Sequence, residues 1–389
     1  MKLMCRLFIL LAVSLPPVPR IYAEEKSLAE IYRQGKVRFN QELVISDGSL
    51  PEGEFFSSLV SVAMDNSGAV YACDYAANNI KKFNADGEFL KIIGKEGQGP
   101  GEFGSPLRID IIRDRLLVWD SMNMRMSLLS LDGEYLKSVI WDRTQQGWPY
   151  DIKSFPDGRI GFEGRISFRR GKSRPEEWII HLFSYDMEHL REVYRRDVRS
   201  RKNIMNPELQ RQQSIPVPFF AGVHWDVSPK GKIVIGYSDR YEVEIHDPVK
   251  GKISSFSREY EPVEVTKEDR EKYFAGMIFS TSVGGTVTRK QGAPDYFVKN
   301  TDFPKYKPAF NGIICDSEGN IWVHTYHEDR NEEGRFFDAF DEAGRFLSRV
   351  RIEGEGSYPF GAKIKERSFC VLEADEDGYQ KIVKYSISE

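Results

Sequence analysis

The sequence predicts an all-β chain folded as a six-bladed β-propeller of four-stranded antiparallel blades, closed by an N-terminal strand that completes the last blade. Three observations predict it: an internal repeat of short strands and tight turns, a last repeat without an outer strand, and a spare outer strand ahead of the first repeat.

The repeat is clearest where Ile92-Ile93-Gly94 runs through Gly97-Gln98-Gly99-Pro100-Gly101-Glu102-Phe103 into a new strand from Leu107. Forty-eight positions earlier, Val44-Ile45 run through Pro51-Glu52-Gly53-Glu54-Phe55 into a strand from Leu59, and the two segments superimpose without a gap. Between them lies one unit of four strands, with Asp65-Asn66-Ser67-Gly68 and Asn84-Ala85-Asp86-Gly87 where turns need local side-chain bonding or positive φ. The same spacing divides the chain into blades of residues 59–93, 107–141, 149–196, 221–260, 310–352 and 358–388, the last joined by strand 42–46. An unpaired blade edge exposes backbone donors and acceptors, and the spare strand is the group that satisfies them. A straight solenoid would need capping units, and none is visible.

Met1 to Val13 read as a cationic start and a short apolar run, ending near Ala23 before Glu24-Glu25. This is the pattern of a secretory signal peptide, residues 1–23, cleaved after Ala23 to give an exported, periplasmic or secreted, protein. Cys5 precedes the apolar run, whereas a lipid-modified cysteine would follow it, and no later segment has the length and hydropathy to span a membrane. Loss of Lys2, Arg6 and Arg20 takes the net charge from −4 to −7, which argues against nucleic acid as a partner. Cys73, Cys315 and Cys370 remain, an odd number without metal spacing, expected as buried strand residues.

Ile92-Ile93-Gly94, the Gly97–Phe103 run and Val118-Trp119-Asp120-Ser121-Met122-Asn123-Met124-Arg125-Met126 resemble the signature of NHL repeats over residues 43–140, and residues 310–347 resemble it again. The resemblance implies a six-bladed propeller and no single activity, because such propellers include binding proteins, lyases and lactonases.

Three departures from the plain repeat draw attention. Residues 164–180 and 197–220 are expected as long loops around the third blade, and residues 264–308 as an insertion between the fourth and fifth. Thr266 and Asp269 stand at capping-box spacing and predict a helix from Lys267 to Phe274, within an insertion near 266–280. Basic residues collect in the third blade's loops, Arg165, Arg169, Arg170, Lys172 and Arg174 and then Arg191 to Lys202, interleaved with acids as a solvated surface would be.

Aligned on the blade turns, Arg108, Asp151, His224 and Asn311 open the innermost strands and are expected at one mouth of the central funnel, as a polar set for an anion, a sugar or a peptide carboxylate. His324 and His327 share an i, i+3 spacing that a strand would send to opposite faces, and His181, His189 and His246 read as isolated. The aligned positions give Asp151 and Asn311 but no Glu for an axial calcium, and one His where a zinc lyase would need several. No GxSxG elbow or phosphate-binding glycine loop appears in a strand-to-helix setting. No catalytic set, metal or cofactor is therefore expected. The favoured function is a non-catalytic binding module for a peptide, glycan or protein partner, acting through one funnel face and the inserted loops. The alternatives are a lactonase-like or hydroxyglycine-lyase-like enzyme with an axial site, and a scaffold without a small ligand.

Overall fold

The computed structural model describes residues 26–167, 176–207, 210–283, 286–326, 335–353, 364–374 and 378–389. Residues 1–25, which include the expected signal peptide, the basic run from Arg169 to Arg174, and His327, Glu328 and Asp329 lie outside the described residues.

Strands dominate, and they assemble into six blades. The first four are separate four-stranded antiparallel sheets whose innermost strands are Leu59–Met64, Pro106–Ile112, Trp148–Ser154 and Val223–Val227. The fifth opens with Gly312–Cys315. Second strands such as Val70–Asp74 are buried along their whole length, because both faces of a blade pack against neighbours. Outer strands such as Tyr135–Ile140 are largely exposed. Between the first two blades, Tyr71, Ile80 and Phe103 pack on Ile109, Val118 and Leu129, and comparable apolar layers fill the other interfaces.

Closure follows the expected plan with a longer strand. Lys36–Ile45 runs antiparallel to Gln380–Ser388, with Val44 opposite Val383 and Ile45 opposite Ile382. Its first residues also pair in parallel with Phe346–Glu353 of the fifth blade, Lys36 opposite Arg351, so the fifth and sixth blades share one seven-stranded sheet. Upstream, helix Leu28–Arg33 starts at a Ser27–Glu30 capping box and buries Leu28, Ile31 and Tyr32 against Trp322, Phe337 and Val350. The Tyr32 hydroxyl donates to buried Asp316 at 2.8 Å. Cys73, Cys315 and Cys370 are buried and form no disulfide. Among the described residues no helix is long and apolar enough to cross a membrane.

The departures from the repeat are more ordered than loops. Much of 164–180 belongs to strands Ile160–Ile166 and Glu176–Phe183, and residues 197–220 hold a hairpin, Arg201–Asn206 with Arg211–Pro216. Charged residues in these strands face solvent or pair with each other, which hides their alternation from a hydropathy reading. The segment 264–308 contains helix Lys267–Ala275, hairpin Ile278–Val283 with Thr286–Gln291, and helix Asp295–Asn300. The first helix has the expected cap: the Asp269 N–H donates to the Thr266 hydroxyl at 3.1 Å, and the Thr266 N–H donates to the Asp269 carboxylate at 3.0 Å. Ile204 and Ile215 of the first hairpin bury Phe297, with Tyr273, Phe274 and Met277 packed around them. The two insertions therefore form one cap with its own small core.

Candidate functional site

The face that carries the blade-to-blade connections is sealed at the first two blades. Asp74, at the end of its strand, accepts the Ser57 and Ser58 N–H groups at 2.9 Å each and the buried Lys81 ammonium at 2.9 Å. Asp120 repeats the device on Gly104 and Ser105. Arg125 then donates to the Gln98, Gly99 and Glu102 carbonyls and pins the glycine-rich connection. Arg108 takes the register position in its blade that Asp151 takes in the third. Its Nη1 donates to the Leu107 carbonyl at 2.9 Å and the Val60 carbonyl at 3.4 Å, and it is not a wall of the pocket below.

At blades three to five the same face opens into a pocket of about 590 Å³. Asp151, His224 and Asn311 line it together, as the alignment of their strands implies. The cap roofs it with Phe219, Phe220, Tyr273 and Met277. Sequence reasoning missed its charged floor, Lys153, Glu163 and Arg165. A bulge after Pro149 sets Asp151 opposite Glu163, so two carboxylates share one register position.

Glu163 is buried, and desolvation holds its carboxyl above the usual range, with Asp151 adding to the rise and Arg165 and Trp225 opposing it. Its Oε1 accepts from Arg165 Nε at 2.7 Å, and its Oε2 accepts from the Trp225 indole at 3.1 Å. The Arg165 guanidinium lies between two aromatic faces, 3.0 Å from the Tyr150 ring centre and 3.5 Å from that of Trp178. Those rings are near-parallel, 23° apart in plane, so the cation is stacked on both sides.

Lys153 is held by carboxylates on three inner strands. Burial opposes its charge, yet Asp151, Asp226 and Asp110 outweigh it and raise the ammonium above its ordinary value. Its Nζ is 3.6 Å from Asp151 and 3.7 Å from Asp226. Asp226 in turn lines a smaller pocket of about 260 Å³ on the opposite mouth, so this ion pair stands between the two ends of the funnel. His224 packs edge-on to Phe310, and burial, with Arg165 and His324 nearby, lowers its imidazole to about 4. It is neutral at physiological pH.

The other histidines rearrange the expectation. His181 and His189 are not isolated: the third-blade hairpin brings Nδ1 of one to 3.2 Å from Nε2 of the other, away from the pocket walls. Pairing across strands, invisible in linear spacing, is the reason. His324 stacks on Phe337 at 4.9 Å. Among the described residues no three His, Cys, Asp or Glu side chains stand together to hold a metal ion. Of the described basic residues, Arg195 pairs with Glu177 and Glu192, and Lys202 with Asp302, as a solvated surface would. Arg165 differs by turning into the pocket.

Residues 55–155 match the family model DUF5128, described as a 6-bladed beta-propeller. The chain is a six-bladed β-propeller. Among solved structures, this propeller is similar to a protein of Bacteroides fragilis provisionally named as exported (11% identity, 91% of this chain and 96% of that one covered, TM-score 0.48). It is similar to a member of the DUF4221 family from Bacteroides vulgatus (12%, 92% and 99%, TM-score 0.48). A third likeness is to regucalcin, a calcium-binding protein from Agrobacterium tumefaciens (12%, 90% and 96%, TM-score 0.40). No curated protein matches the sequence.

Proposed function

We propose that the protein is an exported propeller of the NHL type that binds a peptide, glycan or protein partner, without chemical change to it, in the capped mouth of blades three to five. The observation that carries this reading is the Arg165 guanidinium, stacked between Tyr150 and Trp178 and tied to Glu163 in an aromatic-walled pocket of about 590 Å³. Aromatic walls with a few fixed polar groups are the usual make-up of a ligand site. The charged groups are engaged with one another, Glu163 by Arg165 and Trp225 and Lys153 by Asp151 and Asp226, which suits fixed recognition better than proton transfer. The apolar leader supports export, and the Gly97–Phe103 run with Asp120, Asn123 and Arg125 supports the NHL type.

The test is a thermal-shift screen of the mature chain against oligosaccharides and peptides, repeated on Asn311→Trp, which fills the pocket. A ligand at 100 times its Kd stabilises the fold by about 2.7 kcal/mol. The expected result is a shift that the filled pocket abolishes. Turnover of a lactone or ester panel, lost in Asp151→Ala, would replace the binding role with an enzymatic one, and a shift that survives in Asn311→Trp would move binding elsewhere.

A further inference from the structure

We infer that the pocket is built for a carboxylate-bearing saccharide, with Arg165 as the anchor of its acidic group. This rests on the binding role proposed above and names the ligand class. The Arg165 side chain has only one edge left to use. Its two faces are covered by Tyr150 and Trp178, and its Nε edge is given to Glu163. Among the described residues its Nη atoms donate no hydrogen bond, although the side chain keeps 18% of its surface open and lines the pocket. A fork held rigid on three sides, with its two terminal NH2 groups unspent, matches a planar carboxylate and loses little entropy on binding one.

The surroundings select among anions. Asp151 and Glu163 stand on the same floor as Arg165 and Lys153, so a dianionic phosphate would meet about twice the repulsion from these acids that a singly charged carboxylate meets. They also select what carries the carboxylate. The Tyr273 hydroxyl is buried in the pocket wall without a hydrogen-bond partner among the described residues. The His224 ring and the Asn311 amide likewise make no side-chain hydrogen bond to a described residue. A sugar ring offers hydroxyls that both donate and accept, around a body whose C–H faces pack on aromatic rings such as Phe219 and Phe220. A uronic acid brings these features and the carboxylate together.

The experiment is calorimetric titration of the mature chain with oligosaccharides of galacturonate, glucuronate and mannuronate, with the same oligosaccharides after reduction of the carboxyls to alcohols, and with short peptides ending in a free or an amidated carboxyl. At least one uronate series is expected to bind, and carboxyl reduction is expected to weaken it roughly 10- to 100-fold. Arg165→Lys keeps the charge but not the fork and is expected to lose about tenfold. Because Arg165→Gln alone strands a buried Glu163, the double variant Glu163→Gln/Arg165→Gln serves as the folded control, and it is expected to bind acidic and reduced forms alike. Equal binding of both forms by the parent protein overturns the carboxylate anchor and leaves the binding role standing. Binding of free-carboxyl peptides with none of any uronate overturns the saccharide class. No uronate binding, when the wider screen also finds nothing sensitive to Asn311→Trp, removes both the class and the binding role.

Discussion

The first and third blades use the same register positions on their second strands, and they do opposite things with them. In the first blade the residue opposite Leu59 is Asp74, and its inner neighbour Cys73 is apolar and fully buried. In the second, Asp120 and Trp119 repeat the pattern. In the third, the position of Asp74 is taken by Gly164, the carboxylate has moved inward to Glu163, and Arg165 follows. A carboxylate at the strand end seals the connection above it. Moved one residue inward, it must be matched by a cation and an indole, and the space above is left to a pocket. A ring of similar blades thus acquires a site where one charged residue is shifted in one blade, while the same face of the first two blades stays sealed.

The comparison breaks first if the sealed side proves dispensable. Asp74→Ala leaves the Lys81 ammonium, of which only 1% is exposed, without a carboxylate to balance its charge and is expected to cost about 3–5 kcal/mol. The urea midpoint measures this, and a loss under 1 kcal/mol would show that the seal does not hold the blade. The second test concerns pH. His224, lowered to about 4, stays neutral in the fold while the unfolded chain takes up a proton below 6.5. Its contribution is therefore complete above 6.5 and is lost as the pH falls toward 4, at most about 3 kcal/mol. His224→Gln should flatten the stability profile across this window relative to the parent. Glu163 acts with the opposite sign, stability being lost as the pH rises through its raised value, so parent and variant are compared at each pH. The third test is steric. Gly94 has φ +79° and an added Cβ would lie 2.2 Å from the Phe103 ring, so Gly94→Ala on the sealed side should cost about 1–3 kcal/mol. Gly222→Ala, in the pocket wall with its nearest contact at 3.4 Å, should stay within about 0.5 kcal/mol.

Ring architecture was legible because it is written in spacing. Gly94 to Phe103 and Gly53-Glu54-Phe55 mark equivalent connections, and the orphan strand around Val44 had one unpaired edge to fill. The site was legible by half. Asp151, His224 and Asn311 open inner strands at countable distances from the turns, so they could be aligned, whereas Arg108 aligned equally well and then bonded to its own strand and the next. Glu163 and Arg165 carry a signal in the sequence: Phe162-Glu163-Gly164-Arg165 puts a charge on each side of the position where Ala72-Cys73-Asp74 and Val118-Trp119-Asp120 have one acid after apolar residues. The cap could not be read, because the contact of Phe297 with Ile204 and Ile215 joins segments far apart in sequence that share no repeat. The His181 and His189 contact was hidden for the same reason, since hairpin register is not a linear spacing.

The N-terminal strand has a consequence for how the molecule is made. Lys36–Ile45 touches two blades at once, and its main partner, Gln380–Ser388, follows every other described strand in chain order. Until that strand is available, Lys36–Ile45 has no complete berth, and a growing polypeptide stays an open arc with a bare edge. Locking is then a single late event that joins two strands far apart in the chain, so the slowest step of folding should depend on long-range loop closure and respond little to the strength of any individual blade.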